Sequence, residues 1–351
     1  MDQNMNKKYL KILYLGDIKE GNTSFQRSGA LSGLGHQVTT AQIYPQNLNV
    51  SQRIDNWLYR KGLHMFGHRS PSINRSITEI GLQSHFDVLW IDKGLYVTAE
   101  TIERIKSYNP RIKVVGYSPD YMAAQHNNSR WFIEHSKYYD LFVTTKSYSA
   151  KWLKRVGCKA VLFQGNAYDP ATHKPVKLSP EEKENLGGGV GFIGTYEKER
   201  ADFIRFLGIN QISVKVYGND WEKAPVMDGV NITNKAMIGN DYARVICSFD
   251  INLCFLRKIN LDFQTTRSIE IPACGAFMLA ERSKEHLELF KEGKEAEFFE
   301  GKAELLDKCR FYLKHPTVRE KIAKSGRKRC LVSGYSNQAR LKKVLTVIKE
   351  F

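Results

Sequence analysis

The chain predicts an α/β protein built from two successive Rossmann-like domains. Three observations predict it. Short apolar strands alternate with helix-periodic segments, the signature of βαβ units on parallel sheets. The alternation stops once, at a polar stretch rich in proline and glycine, and then restarts. A length of 351 residues is long for one hydrophobic core and ample for two.

In the first half, residues 8–16 read as a strand. A helix follows over 24–35, with Asn22, Thr23 and Ser24 as candidate N-caps and Gly33 and Gly35 near its end. Residues 37–43, 86–91, 113–117, 141–145 and 160–163 are further short apolar strands, with helical patterns at 99–108 and 147–156. Residues 168–184, holding Pro170, Pro175 and Pro180 and ending in Gly187–Gly189, read as a linker. Alternation restarts with a strand at 190–194 and a helix at 197–207. Strands at 213–217 and 230–233 follow. A helix at 241–247, a strand at 250–255, a helix at 265–273 and a strand at 276–280 complete the second set. Helices dominate after residue 300.

Composition excludes several classes. The net charge of +16 favours an anionic partner. No helix-turn-helix, zinc-finger or aromatic RNA-binding pattern accompanies it, so nucleic acid is not expected. No apolar run reaches the roughly 18 residues that span a bilayer, and residues 1–8 are polar, unlike a signal peptide. The six cysteines are scattered, with no metal spacing, and read as reduced core thiols of a cytoplasmic protein.

The residues from Asp262 to Gly275 form the most informative segment. Thr265, Thr266 and Arg267 gather polar groups at a helix entrance, and the carboxylate of Glu270 follows one turn inside. Such an entrance suits a phosphate, with the carboxylate left for sugar hydroxyls. A second phosphate-friendly turn is Gly194-Thr195, with Arg200 in the helix after it. Gly189-Val190-Gly191-Phe192-Ile193-Gly194 matches the dinucleotide spacing GxGxxG, but its glycines enter a strand instead of leaving one, which argues against nicotinamide binding.

The segments VGFIGTYEKER, KVYGNDW, SFDINLCFLRKINLDFQTTRSIEIPACGAFMLAE and HPTVREKIAKSGRKR resemble the C-terminal half of CgeB-like glycosyltransferases, of the GT-B group. ILYLGDIKEGNTSFQRSGALSGLGHQV and FDVLWIDKG resemble their N-terminal half more loosely. The resemblance implies two Rossmann-like domains facing each other across a cleft: an acceptor domain at 1–184 and a nucleotide-sugar donor domain at 185–334, with a final helix within 335–351 packing back toward the first. It implies that Glu270 accepts the ribose hydroxyls and that Asp262, eight positions earlier, lies near the donor sugar. Thr265, Thr266, Arg267 and Arg200 would hold the diphosphate, beside Gly194 and Thr195. Thr195 stands where many relatives have a basic residue. Tyr217, Gly218, Met237 and Ile238 would surround the nucleobase.

The activity implied is retaining transfer of a sugar, by default from a UDP-sugar, to a glycan or other hydroxyl acceptor, as in bacterial surface polysaccharide synthesis. Without a DxD carboxylate pair, the arginines and helix termini suggest a metal-independent reaction with no cofactor. On the acceptor side three loops end parallel strands: one with Thr23 and Ser24, one with Lys93 and Gly94, and one with Asp120 and Tyr121. Asp120 is a candidate general base or acceptor-orienting group. Residues 51–69 form a basic amphipathic pattern carrying Ile54, Trp57, Leu58, Leu63 and Phe66, suited either to packing on the first domain or to an anionic membrane and a lipid-linked acceptor. A non-catalytic nucleotide- or glycan-binding module of the same fold, and an NAD-dependent enzyme, are the alternatives.

Overall fold

A computed structural model describes residues 9–45, 48–60 and 70–350. The chain divides into two compact units, 1–165 with 337–351, and 166–336.

The first unit holds β1 (Lys11–Gly16), β2 (Gln37–Gln42), β3 (Val88–Asp92), β4 (Lys113–Ser118), β5 (Leu141–Thr144) and β6 (Ala160–Phe163). They form one parallel sheet in the order β2-β1-β3-β4-β5-β6. β1, β3, β4 and β5 are buried along nearly their whole length, because helices cover both faces. The order reverses between β1 and β3. That is the switch point, where loops at the carboxyl ends diverge and leave a crevice.

The last helix, Asn337–Ile348, completes this unit. Leu341, Val344, Leu345 and Ile348 pack with Leu10, Ile12, Tyr14, Ala30 and Leu31. Burial of each such side chain contributes on the order of 2 kcal/mol.

The second unit holds β7 (Gly188–Ile193), β8 (Val214–Tyr217), β9 (Val230–Thr233), β10 (Phe249–Cys254), β11 (Met278–Glu281) and β12 (Glu297–Phe299). Their order is β12-β11-β10-β7-β8-β9, again parallel, with the switch between β7 and β10. Two apolar clusters, around Phe192 and Ile269, flank the sheet.

The division falls at Gly165/Asn166 and not at 184/185, so residues 168–184 are no linker. Tyr168 donates its N–H to the carbonyl of Tyr335 and is buried in the second unit's core. His173 is 3% exposed. Residues Pro180–Leu186 are helical, started by a capping box between Ser179 and Glu182. The prolines mark turns of a chain that lies against its unit. Of the amphipathic pattern at 51–69, Val50–Arg60 is a helix, and 61–69 lie outside the described residues. Among the described residues, no helix is long and apolar enough to cross a membrane.

Candidate nucleotide-sugar site

The second unit's switch point brings together the loop after β7 and the segment after β10. β7 delivers Gly194, whose N–H donates to Tyr217 O at 2.8 Å and whose carbonyl accepts from the Trp221 indole at 2.8 Å. Gly218 follows β8 at φ +154°, and a Cβ there would come within 2.0 Å of Gly194 O. Glycine at 218 is what lets β8 close against the Gly194 turn. Helix Lys198–Ile209 starts after this turn, and Arg200 in its first turn is 2% exposed.

Arg267 opens helix Arg267–Ala273 on the other side of the switch. The Arg200 and Arg267 guanidiniums lie 5.7 and 5.9 Å from the centroid of the same Phe192 ring. Arg200 Nη1 donates to the Thr195 carbonyl at 3.1 Å, and Glu197 stands 3.6 Å from Nη2. Arg200 Nε and Nη2, and Arg267 Nε, are buried without a hydrogen-bond partner. Burial, then the Arg267 charge, pull the Arg200 pKa down to about 10. Two cations held side by side carry charge and unused donors that an anion would satisfy.

Glu270 sits one turn further on, 6% exposed. Its Oε2 accepts from the Tyr242 hydroxyl at 2.5 Å, and its Oε1 is 3.7 Å from His173 Nε2. His173 Nδ1 accepts the Asp169 N–H at 2.9 Å, which puts the ring proton on Nε2, facing the carboxylate. Tyr242 and His173 are site residues that sequence reasoning missed. His173 lies in the stretch misread as a linker, and a tyrosine one turn into an ordinary helix carries no motif.

The turn between Asp262 and Arg267 is fixed from behind. Thr265 N–H donates to Ser268 Oγ at 2.9 Å, and Ser268 Oγ lies 2.6 Å from His286 Nε2. His286 Nδ1 donates to the Glu281 carbonyl at 2.7 Å, so Nε2 accepts the serine proton. Burial pushes the His286 pKa down to about 4, which keeps the ring neutral. Ser283 Oγ donates to the Phe263 carbonyl, and Gln264 bridges Asn166 N–H to Glu285. Asp262 is 8% exposed and accepts from Asn260 Nδ2 at 2.8 Å.

Other predicted residues are placed as follows. Thr195 is exposed, and Thr266 is half-buried at the helix entrance. Tyr217 is a core residue whose hydroxyl donates to Leu186 O at 2.6 Å, so its polar end is used structurally. Met237 packs on the core around Ile269, and Ile238, 54% exposed, precedes helix Gly239–Ser248.

The first unit has its own site at the β1/β3 switch. A pocket of about 390 Å³ is lined there by Asp17, Thr23, Ser24, Arg27, Asp92 and Lys93, among others. Asp92 closes its floor. Its Oδ2 accepts from Tyr14 OH at 2.7 Å and from Arg27 Nε at 2.8 Å, and the Arg27 guanidinium lies 4.1 Å from the Tyr117 ring centroid. Ser24 Oγ is 3.3 Å from Tyr14 OH, and Thr23 Oγ1 accepts from Arg27 at 3.4 Å. Lys93 and Gly94 follow β3 in left-handed backbone, with φ of +66° and +54°. Lys93 Nζ pairs with Asp120 Oδ2 at 2.5 Å. Gly94 O accepts from His135 Nε2 at 3.0 Å. Tyr121 packs edge-on against Tyr148, its ring centroid 5.2 Å away. Tyr14, Arg27, Asp92 and Tyr117 have no predicted counterpart as a cluster, because strands and a helix far apart in sequence build it. Among the described residues, no three His, Cys, Asp or Glu side chains converge as a metal site.

Residues 199–346 match the model of a family described as glycosyl transferase-like. No curated protein is significantly similar in sequence. Solved structures are similar over nearly the full length. HepE of Anabaena, in complex with UDP-glucose, is 12% identical with a TM-score of 0.67, covering 97% of this chain and 100% of that one. Sucrose-phosphate synthase of Thermosynechococcus elongatus is 11% identical, TM-score 0.66, covering 98% and 99%. A glycosyltransferase of Rickettsia africae is 12% identical, TM-score 0.66, covering 98% of each chain. The family match spans most of the second unit, and the two-unit fold of these glycosyltransferase structures is shared along the chain.

Proposed function

We propose that the protein transfers a sugar from a UDP-sugar to a hydroxyl group of a glycan or lipid-linked acceptor, with retention and without a metal. The carrying observation is the Arg200–Arg267 pair with its unpaired buried donors. Breaking a sugar–phosphate bond leaves negative charge on the departing diphosphate. Fixed cations placed beforehand stabilise that charge without reorganisation. Glu270, oriented by Tyr242 and His173, accepts the ribose hydroxyls, and Asp262 lies toward the donor sugar. Thr265 and Thr266 supply further donors to phosphate. Retention follows when the leaving phosphate takes the acceptor proton on the face it departs from. The first unit's pocket, with Ser24 and with Lys93 paired to Asp120, binds the acceptor. The UDP-glucose held by HepE supports the choice of uridine.

The reading extends to peripheral contact with an anionic membrane. Val50, Ile54 and Trp57, at helical spacing on Val50–Arg60, are 74%, 51% and 58% exposed. Arg53 lies among them on a chain of net charge +16. An apolar face with basic neighbours suits a headgroup layer. A bacterial surface glycan or glycolipid is the acceptor class that fits.

The test is incubation with a panel of UDP-sugars in EDTA, following UDP release and the anomeric configuration of the product by NMR. An α-product from an α-linked donor, formed with the metal chelated, is expected. An inverted product or a strict metal requirement would refute the mechanism.

A further inference from the structure

Two cysteines sit at the base of the helices that carry the donor site. Cys247 is the penultimate residue of helix Gly239–Ser248, which bears Tyr242. Cys274 directly follows helix Arg267–Ala273, which bears Arg267 and Glu270. Cys247 Sγ lies 3.6 Å from the backbone carbonyl oxygen of Cys274 and accepts the Val176 N–H at 3.4 Å. Both cysteines line one open cavity of about 220 Å³, large enough for a small oxidant. Cys274 is buried, as are Cys158, Cys254, Cys309 and Cys330, whereas Cys247 is partly exposed.

The electrostatics separate the two thiols. The neighbouring Cys274 thiol, then the Val176 N–H and the Arg327 charge, bring the Cys247 pKa down to about 7 against the opposing effect of burial. The Cys274 thiol is held well above its ordinary range by Cys247 and by burial. Cys247, the more exposed and more acidic of the two, is the nucleophile, and the buried Cys274 is its resolving partner.

We propose that Cys247 and Cys274 form a peroxide-sensitive dithiol whose disulfide weakens nucleotide binding at Glu270. The Cys247 thiolate attacks one peroxide oxygen. The S–O bond forms, the O–O bond breaks, and the second oxygen leaves as hydroxide and is protonated to water. The Cys274 sulfur then attacks the Cys247 sulfenic acid. An S–S bond forms and the sulfenic oxygen departs as a second water, taking the Cys274 proton. Two thiols lose two electrons and peroxide gains them. The new bond ties the ends of two helices that also share the Tyr242–Glu270 hydrogen bond. Drawing Cys274 toward Cys247 pulls on the helix that aims Glu270. This consequence rests on the donor-site reading.

The experiment treats the reduced full-length protein with hydrogen peroxide in slight excess. Intact mass and a non-reducing peptide map are recorded beside the thermal shift caused by UDP. The expected result is a mass loss of about 2 Da, located in a Cys247–Cys274 linked peptide. The UDP-induced shift should fall and return on adding dithiothreitol. Cys247→Ser should abolish both changes and keep the UDP shift. In Cys274→Ala, dimedone should trap a sulfenic acid on Cys247. An unchanged mass, a disulfide between other cysteines, or a disulfide that leaves the UDP shift intact would overturn the proposal. If the reduced protein shows no UDP shift, the donor-site reading fails, while the mass and the peptide map still decide whether the dithiol exists.

Discussion

Arg200 and Arg267 place their guanidinium groups beside the same Phe192 ring, at 5.7 and 5.9 Å from its centroid, with buried N–H donors left over on both. Like charges this close repel in a poorly solvated site. The arrangement is unfavourable by itself and becomes favourable when an anion arrives. Arg267→Met should therefore raise the melting temperature of the ligand-free protein slightly, or leave it unchanged. The same change should weaken UDP binding at least tenfold, the loss of about 1.5–3 kcal/mol expected for charge-assisted hydrogen bonds. Differential scanning fluorimetry and calorimetry read the two effects separately. A fall in stability together with unchanged affinity would mean that Arg267 is structural.

Glu270 depends on Tyr242. Tyr242→Phe removes the hydroxyl that donates to Oε2 and should lower donor affinity several-fold. Glu270→Gln should lower it more, because a neutral amide is a weaker acceptor for two ribose hydroxyls. UDP and the free uracil base should differ in their response. UDP binding should drop in both variants, whereas uracil, without ribose, should be insensitive.

Gly218→Ala tests the closure of the donor turn. The added Cβ meets the Gly194 carbonyl at 2.0 Å, and the backbone sits at φ +154°. Backbone cannot yield as a flexible side chain does, so a loss of roughly 2–4 kcal/mol is expected. Urea unfolding of the variant measures it. A midpoint equal to that of the native protein would show that the turn relaxes freely.

Buried histidines make stability depend on pH. His286 and His135 are each pushed down to about 4 by burial, against about 6.5 in an unfolded chain. Above about 6.5 both states are neutral and nothing is lost. Between there and about 4 the unfolded chain takes up protons that the folded chain refuses, so stability falls as pH falls. Each histidine contributes roughly 3 kcal/mol at the lower limit. Carboxylates titrate in the same window, so the decisive comparison is between native protein and His286→Gln. The variant's urea midpoint should decline less steeply from pH 7 to pH 4.5. Parallel declines would contradict a neutral buried His286.

Trp57→Ala should reduce sedimentation with anionic vesicles at low salt and leave UDP binding unchanged. Equal recovery in the supernatant with and without vesicles, for the native chain, would remove the membrane reading.

The strands were legible because parallel sheets bury both faces, so segments such as Val88–Asp92 and Leu141–Thr144 read as apolar runs. The Asp262–Glu270 segment was legible because its polar residues are local in sequence. What was hidden is held by distant contacts. His173 reaches Glu270 across nearly a hundred positions, and its own segment looks like a proline-rich connector. Arg27 and Asp92 form a buried pair 65 positions apart. The family resemblance implies that Tyr217 faces the nucleobase. The Leu186 carbonyl that takes its hydroxyl belongs to a helix hidden in the same connector. β12 is only 3 residues long, too short for periodicity to register.

Calorimetric titration of UDP in EDTA, into native protein and into Arg267→Ala, tests the central claim most directly. The account predicts saturable one-to-one binding to the native chain and at least tenfold weaker binding to the variant, with folding intact in both. No UDP binding to the native chain, or equal affinity in the two, would contradict it.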